Sequence, residues 1–481
     1  MNTFGKGYEE NAAHFRDYVR ADDSMDIVVR ELKQKNGFVT VFYIDGFVKD
    51  GDLQKLLAHL LSSEAPASAD AFIGSVPIAE SCVIDCPAGA ARALFSGQAV
   101  FFGTHFGEYC CAVDVRHYPG REVGEPESDK VMQGARDGFV ETLITNTVLI
   151  RRRIRDTRLT VHYENIGGAS GTDVAVVYMD GVADEKYVRE IIDRLRKIRP
   201  KSLTLGFQSL AESLIPSGWW NPFPKIRTTE RPDTAAAQVL EGSVLVLVDT
   251  SPQVMVLPTS LLDYLQQTDD YYYPPLTGSY LRIVRTAILL LSVVSTPLWY
   301  LALMRAQTLP DALRFLIPKD PGALPILFQL YLAEITIDGL KIASMNTPDM
   351  LSNSLSVIGA LILGDFAVGV GWFCQDVILY MALVAIANFA QQNHELGYAF
   401  KFMRMVILAF TALAGEIGFL FGIGLFCVAA GANCTVSGRR RYLYPLIPFD
   451  GKALSHLVFR TKKNDFETEP LGASRKTAKK D

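Results

Sequence analysis

The sequence predicts an α+β membrane protein in which a duplicated α/β head, on the cytoplasmic side, precedes a polytopic α-helical membrane domain. Three observations lead to this fold class. A pattern of strand, Asp-Gly turn and helix occurs twice within the first part of the 481 residues. Long apolar segments appear only after about residue 283. The charged N-terminal segment lacks the apolar core of a secretory signal, so we expect the head to stay in the cytoplasm.

The repeated unit can be followed position by position. Its first copy spans residues 39–60 and its second copy spans residues 173–195. Matching positions lie 135 residues apart: Val41, Tyr43, Asp45, Gly46 and Leu60 correspond to Val176, Tyr178, Asp180, Gly181 and Leu195. The apolar residues after each turn recur with helical spacing. Because glycine adopts positive φ without strain, each Asp-Gly pair predicts a tight turn between a strand and a helix.

The domain boundaries of the head follow from this repeat and from charge. We expect a first α/β subdomain at residues 1–128, a linker helix at 129–156 and a second subdomain at 157–270. The linker begins with acidic residues and ends with Arg151, Arg152 and Arg153, the order that the helix dipole favours. That order is typical of an ordinary, well-capped linker helix. An alternative hypothesis makes these arginines a basic face at a subunit contact.

The second half of the chain predicts a helical membrane domain at residues 271–437 with four clear spans. Residues 286–304 carry no charge and are numerous enough to cross a hydrocarbon core of about 30 Å. The next two spans are 354–373, which contains Asp365, and the shorter 377–390. The last span, 403–430, contains Glu416. It is long enough either to cross once with tilt or to break at the AGEIG sequence.

Residues 321–343 form an amphipathic segment between the first two spans. Glu334, Asp338 and Lys341 recur at helical spacing and therefore share one face. This pattern predicts a helix that lies in the membrane interface or one that lines a watery cavity.

Charged side chains inside apolar segments are costly, and a functional role is the first hypothesis for them. The candidate pore or membrane-embedded polar residues are Glu334, Asp338, Asp365 and Glu416. For Asp365 and Glu416, a carboxylate hydrogen-bonded between helices is the structural alternative. In an oligomer, rings of such carboxylates would favour cations.

The topology follows from charge. Residues 438–481 are predicted to form a basic cytoplasmic tail, because GRRRYLYP follows the last span. Since the head is also placed in the cytoplasm, the number of crossings must be even. Four is the simplest number, and six is possible if the amphipathic segment and both halves of a broken last span cross.

Several functional classes are disfavoured. A net charge of −5 gives no reason to expect nucleic-acid binding, which needs a clustered excess of Lys and Arg. No phosphate-binding loop or nucleophile elbow is present, and the seven histidines show no metal-ligand spacing. We therefore expect neither an enzyme nor a catalytic residue, cofactor or metal site.

Three long strings resemble the GerA family of spore germination proteins, in its A-subunit branch. They are residues 125–154, 229–272 and 439–450, and the resemblance covers residues 26–459. One departure is GARDGF at 134–139, where the family usually has Pro at the second position and Glu at the fourth. The missing Pro removes a rigid entry to the following helix.

The resemblance implies a multi-pass protein of the spore inner membrane. Family members form oligomeric, nutrient-gated ion channels, and their release of monovalent cations starts germination. The implied partners are the membrane, further copies of the chain, receptor subunits, a small membrane partner and monovalent cations. No ligand-binding residue is transferred, because the nutrient site of the receptors lies mainly on another subunit. The alternative function is a non-conducting membrane scaffold that assembles germination receptor complexes.

Overall fold

The structure, a computed structural model, describes most of the chain. The described residues are 3–116 except 79; 134–345 except 169, 199–202, 204–205, 216–219 and 268; and 367–459 except 392, 434–435 and 437–441. They form two α/β subdomains followed by a helical region.

The first subdomain contains one antiparallel sheet covered by helices on both faces. Its strands are β1 (Ile27–Gln34), β2 (Gly37–Ile44), β3 (Ser81–Ile84), β4 (Ala99–Gly103) and β5 (Cys110–Val113). Its helices are α1 (Tyr8–Tyr18), α2 (Asp50–Ser62), α3 (Ala69–Ser75) and α4 (Pro87–Phe95). The strand order is β1-β2-β4-β5-β3. Helices α1 and α4 bury one face and α2 and α3 the other, so β4 and β5 are apolar along their whole length.

The second subdomain repeats this architecture. Its strands are β6 (Leu159–Ile166), β7 (Thr172–Met179), β8 (Arg227–Thr229), β9 (Val244–Val248) and β10 (Val254–Leu257). Its helices are α5 (Leu143–Arg153), α6 (Glu185–Lys197), α7 (Phe207–Leu214) and α8 (Pro232–Leu240). The order β6-β7-β9-β10-β8 is that of the first sheet, strand for strand. The duplication expected from the sequence is therefore visible in the topology.

Helix α5 falls within the predicted linker, but it packs as part of the second subdomain. Its apolar residues Leu143, Leu149 and Ile150 lie in the core beneath the second sheet. In chain order it occupies the place that α1 has in the first subdomain. The reason is its apolar content, because a helix with buried residues on several sides needs packing partners that a solvated linker does not have.

The two Asp-Gly turns have the backbone that the sequence predicts. Gly46 has φ +80° and Gly181 has φ +75°. Their surroundings differ, however. An ideal Cβ on Gly46 would lie 2.6 Å from Cγ2 of Val148 and 2.7 Å from Cγ2 of Ile144, both on α5. No described atom lies within 4 Å of an ideal Cβ on Gly181. The first turn is thus pressed against the second subdomain, whereas the second turn is open at that point.

The two subdomains form one head through contacts at the edge strand β6. The backbone N–H of Met25 donates to the carbonyl of Val161 at 2.8 Å, and the N–H of Val161 donates to Oγ of Ser24 at 3.0 Å. Arg20 forms an ion pair with Asp180 at 2.5 Å. The two bonds to Val161 cover polar backbone groups that an edge strand would otherwise expose.

The helical region begins with the short α9 (Asp269–Tyr272). It continues with α10 (Pro275–Met304), α11 (Ile326–Met345), α12 (Ala367–Gly369), α13 (Gln375–Phe389), α14 (His394–Ala432) and α15 (Gly451–Val458). Among the described helices, α10 and α14 are long and apolar enough to cross a membrane, and α13 is apolar but shorter. The predicted spans 286–304 and 403–430 lie within α10 and α14. Most of the predicted span 354–373, including Asp365, lies outside the described residues.

Helix α14 is broken at Gly415, within the AGEIG sequence. Gly415 has φ +59° and ψ −127°, a conformation that L side chains rarely adopt. An ideal Cβ on Gly418 would lie 1.8 Å from the carbonyl oxygen of Phe410, so the chain folds back closely on itself. The rings of Phe410 and Phe421 are 4.9 Å apart. Of the two alternatives for this segment, the structure has the break, with a first arm at 394–414 and a second arm at 416–432.

Neighbouring contacts give the direction of each helix. Ser292 of α10 lies beside Arg404, and Arg305, just after α10, pairs with Glu416 at the break. Helix α10 and the first arm of α14 therefore run in the same direction, away from the head. Helix α11 runs antiparallel to this arm, because Tyr331 contacts Met405 whereas Lys341 lies over the ring of Tyr398.

The second arm of α14 returns to the head and is attached to it. Asn221 of the second subdomain donates to the carbonyl of Ala429 at 2.9 Å. Val436, which follows the arm, is buried in the core of the second subdomain. Near the start of α10, Arg285 donates to the carbonyl of Leu265 at 3.0 Å. The head and the helical region are thus in contact both near the start of α10 and after the end of α14.

The two glycine turns allow a matched test of the contact between the subdomains. Gly46→Ala and Gly181→Ala both place a side chain at positive φ, which costs about 1–2 kcal/mol in each case. Only Gly46→Ala also forces a methyl group into Val148 and Ile144, so we expect it to destabilise the protein by about 1–3 kcal/mol more. Thermal unfolding of the purified full-length variants measures the difference. Equal losses would contradict the close packing of the first turn on α5.

Candidate functional site

Four charged side chains meet between α11 and the first arm of α14, and we call them the buried charge cluster: Glu334, Asp338, Lys401 and Arg404. Oε1 of Glu334 accepts from Nε of Arg404 at 2.8 Å. Nη2 of Arg404 is 2.6 Å from the same oxygen but makes no hydrogen bond of good geometry. Nζ of Lys401 is 3.3 Å from Oε2 of Glu334 and also contacts Asp338.

Helical spacing on two antiparallel helices assembles this cluster. Glu334 and Asp338 are one turn apart on α11, and Lys401 and Arg404 are one turn apart on α14, so each pair shares a face. Arg404 also donates to the carbonyl of Ser292 on α10 at 3.1 Å. Three helices are therefore connected through one guanidinium group.

Burial makes this cluster energetically sensitive. The side chain of Glu334 is 6% exposed and that of Arg404 is 1% exposed, whereas that of Asp338 is 35% exposed. Removing one partner of a buried ion pair strands the other charge, which typically costs about 3–5 kcal/mol. Pairing thus neutralises the buried charges of the cluster. Asp338 is the member of the cluster that is most accessible to solvent.

Glu416 has a different environment from Glu334. It follows the break in α14 and pairs with Arg305 at 3.0 Å, with both side chains more than half exposed. Such an exposed pair contributes little, about 0–1 kcal/mol. Asp365, the remaining candidate, lies outside the described residues.

A second buried ion pair, between α9 and α10 where the helices begin, is not predicted from the sequence. Asp270 of α9 is fully buried, accepts from Arg282 at 3.1 Å and pairs with Arg285 at 3.0 Å. Arg285 marked the edge of the first predicted span. The sequence does contain a signal for this pair. Arg282 and Arg285 share one face of α10, and two arginines on a buried helix face imply a carboxylate partner.

Arg151, Arg152 and Arg153 have three different environments. Arg151 is fully buried and pairs with Asp26 of the first subdomain at 2.8 Å, so it joins the two subdomains of one chain. Arg153 pairs with Asp137 at 2.6 Å, and Arg152 is exposed. The three arginines do not form one common surface, because consecutive residues of a helix point in different directions.

Two titratable groups of the head near this contact have shifted pKa values. Burial against α5 raises the pKa of Tyr163 to about 12, so its hydroxyl stays protonated. A hydrogen bond from Arg158 lowers the pKa of Asp156, which stays ionised. Across the described part of the chain, no three His, Cys, Asp or Glu side chains are grouped as metal ligands.

The structure thus defines a class of two-part protein, with a duplicated α/β head and a region of long apolar helices that contacts the head through Asn221 and Val436. The model of the Bacillus/Clostridium GerA spore germination protein family matches residues 14–471. The chain therefore belongs to the GerA family of spore germination proteins, as its sequence resemblance led us to expect.

Individual relatives are similar over nearly the same length. The chain is 34% identical to Stage V sporulation protein AF of Bacillus subtilis (strain 168) over 469 residues, which is 96% of this chain and 94% of that protein. It is 28% identical to Spore germination protein KA of the same organism, over 94% of this chain and 84% of that protein. It is also 28% identical to the uncharacterized membrane protein YfkQ of that organism, over 82% of this chain and 78% of that protein.

One solved structure is similar to part of the chain. It is the crystal structure of the N-terminal domain of the A subunit of the Bacillus megaterium spore germinant receptor GerK3. The identity is 24% and the TM-score 0.40, over 53% of this chain and 96% of that chain.

Two carboxylates within apolar helices should respond differently to neutralisation. Glu334→Gln leaves Arg404 buried without its carboxylate and leaves Lys401 with Asp338 as its carboxylate partner, so we expect a loss of about 3–5 kcal/mol. Glu416→Gln removes only a solvent-exposed pair, and we expect a loss below about 1 kcal/mol. Thermal unfolding of both full-length variants in detergent measures the two effects. A larger loss for Glu416→Gln would show that the cluster is assigned to the wrong carboxylate.

Neighbouring arginines of α5 provide a second matched pair. Arg151→Met strands the buried carboxylate of Asp26, with an expected loss of about 3–5 kcal/mol in unfolding free energy. Arg152→Met changes an exposed side chain and should stay within about 0.5 kcal/mol. Chemical denaturation of the full-length protein distinguishes them. If Arg152→Met alone disturbed the protein, and did so by dissociating an oligomer, the subunit-contact hypothesis would regain support.

Proposed function

We propose that the chain is a membrane-embedded subunit of the germination machinery and that its helical region contributes to the release of monovalent cations. The observation that carries this proposal is the buried charge cluster. Ionisable groups within apolar membrane helices are rare and costly, and they commonly belong to ion pathways. A cluster neutralised in pairs is what a closed state of such a pathway would contain.

The pairing suggests how opening would work. Lys401 contacts both Glu334 and Asp338, so a small sliding of α11 along the first arm of α14 would separate it from one carboxylate. The released carboxylate would then face the space between the helices. Around the axis of a homo-oligomer, equivalent carboxylates would form an acidic ring that favours cations.

Assembly with other membrane components is part of the proposal. Large apolar side chains are exposed along α10 and both arms of α14: Leu290, Leu291, Leu298, Leu413, Ile417 and Leu420. Lipid, further copies of the chain or other subunits would have to cover them. We propose a homo-oligomer in the spore inner membrane, together with germination receptor subunits and a small membrane partner. The second arm returns to the head, which supports an even number of crossings with both termini in the cytoplasm.

A scaffold without conduction is the alternative, and a specific observation favours it as well. Glu334 and Asp338 already have cationic partners within one chain, which is all that helix packing requires. In that case the cluster would fix the register of α11 on α14, and the head would assemble receptor complexes. The two functions differ in what happens when Lys401 loses its charge.

Potassium flux from liposomes separates conduction from scaffolding. Lys401→Gln removes the cation shared by Glu334 and Asp338, so we expect a potassium leak several-fold above that of the wild-type protein. Lys319→Gln, an exposed lysine before α11, should behave like the wild type. The size of the protein in detergent is measured on the same samples, because an acidic ring of carboxylates requires an oligomer. A monomer would favour the scaffold, and so would the absence of a potassium leak from every variant with the candidate partners present.

A further inference from the structure

An exposed apolar patch lies in the segment that follows the second arm of α14. Its members are Leu446, Ile447 and Phe449, and we call them the tail patch. Their exposed fractions are 44%, 64% and 75%. Residues 442–449 carry no charge. Large apolar side chains exposed as a group indicate a contact that the single chain does not contain.

The segment around the tail patch is attached at both ends to the long helices. At its start, Leu443 packs against the core that contains Ala429 and Ala430 of the second arm. At its other end lies α15, where the carbonyl of Leu457 accepts from Nη1 of Arg282 on α10 at 3.3 Å. The segment therefore runs from the second arm to α10, at the end of each helix that is nearest the head.

The positions of charged residues along α10 give the depth of this contact. Arg285 and Arg305 frame the uncharged residues 286–304. At 1.5 Å per residue these two arginines are about 30 Å apart, which matches the thickness of a hydrocarbon core. Arg282 precedes Arg285 by three residues, so the contact with Leu457 lies about 5 Å outside the hydrocarbon boundary. That is the depth of the lipid headgroups.

The exposed face of α10 at this depth is apolar as well. Tyr280 and Ile283 are exposed, whereas Arg282, on the opposite face, is buried. With helical spacing, Tyr280 and Ile283 share a face with the exposed Leu290 and Leu291 inside the uncharged span. Tyrosine is also enriched where membrane helices meet the headgroups. The exposed apolar surface of the membrane helix therefore continues to the depth at which the tail segment contacts it.

We propose that the tail patch inserts into the lipid interface on the head side of the membrane. Its partner is a phospholipid surface, with the three side chains at the boundary between headgroups and acyl chains. In the sequence, arginines at 439–441 come directly before this segment, and basic residues beside an apolar interfacial patch favour anionic headgroups. This part of the predicted cytoplasmic tail thus lies on the membrane. The inference rests on the proposed membrane embedding of α10 and α14.

Photo-cross-linking in a bilayer tests what covers the tail patch. The photoreactive amino acid p-benzoylphenylalanine replaces Phe449 in the full-length protein, which is reconstituted into liposomes of phosphatidylcholine and phosphatidylglycerol. After irradiation, mass spectrometry of the intact protein detects the added mass of a phospholipid, and we expect such an adduct. If this variant folds poorly, the same replacement is made at Ile447.

Two control positions give the reference values. Leu291 lies on the exposed face of α10 within the uncharged span and should form a lipid adduct efficiently. Tyr109, an exposed residue of the first subdomain, should form very little. We expect the yield at Phe449 to be within about threefold of the yield at Leu291 and at least about tenfold above that at Tyr109.

Each outcome decides the question. Lipid adducts at Phe449 with these yields support the inference. A covalent dimer as the main product would show that a second copy of the chain covers the patch, which overturns it. Adducts at Leu291 without adducts at Phe449 and Ile447 also overturn it, but they leave the membrane embedding of the helices intact. Absence of lipid adducts at Leu291 contradicts the membrane embedding itself, and the inference fails with it.

Discussion

The structure depends on one constraint: a charge taken out of water must meet an opposite charge. Three buried pairs satisfy it, and two of them join parts of the chain that are far apart in sequence. Arg151 and Asp26 join the two subdomains, and Glu334 joins α11 to α14 through Arg404. The third, Asp270 with Arg282, joins the neighbouring helices α9 and α10. A buried pair is rarely more stabilising than apolar residues of the same size, but it penalises every alternative packing in which a charge is left alone. These pairs therefore specify how the parts fit together.

The two subdomains of the head share one architecture but make different contacts. Both subdomains have the same strand order and the same turn geometry. Their contacts differ, because the first turn packs on α5 whereas Val436 from the end of α14 enters only the second core. The first subdomain is thus attached to the second, and the second is attached to the helices.

Membership of the GerA family gives this arrangement its biological setting. The family match covers almost the whole chain, so the head and the helices belong together as one inherited unit. Within that setting, our proposed function depends on the cluster around Glu334. The same four side chains would serve a scaffold as packing elements and a channel as a closed gate. What distinguishes the two is whether Lys401 can leave its carboxylates, which is a question of helix movement and not of residue identity.

Local sequence patterns determined much of this protein. The strand-turn-helix pattern of each repeat copy, the positive φ of Gly46 and Gly181, the apolar helices and the break in the AGEIG segment each follow from a short stretch of the chain. Charge partners were decided only by the tertiary structure. Glu334 and Arg404 are 70 positions apart, and Asp26 and Arg151 are 125 apart. Periodicity shows which face of a helix a charge occupies, but not which distant element packs against that face. For this reason the sequence identified Glu334 as a candidate pore residue and Arg151 as a candidate subunit contact, and the fold revealed that each has a buried partner of opposite charge within the chain.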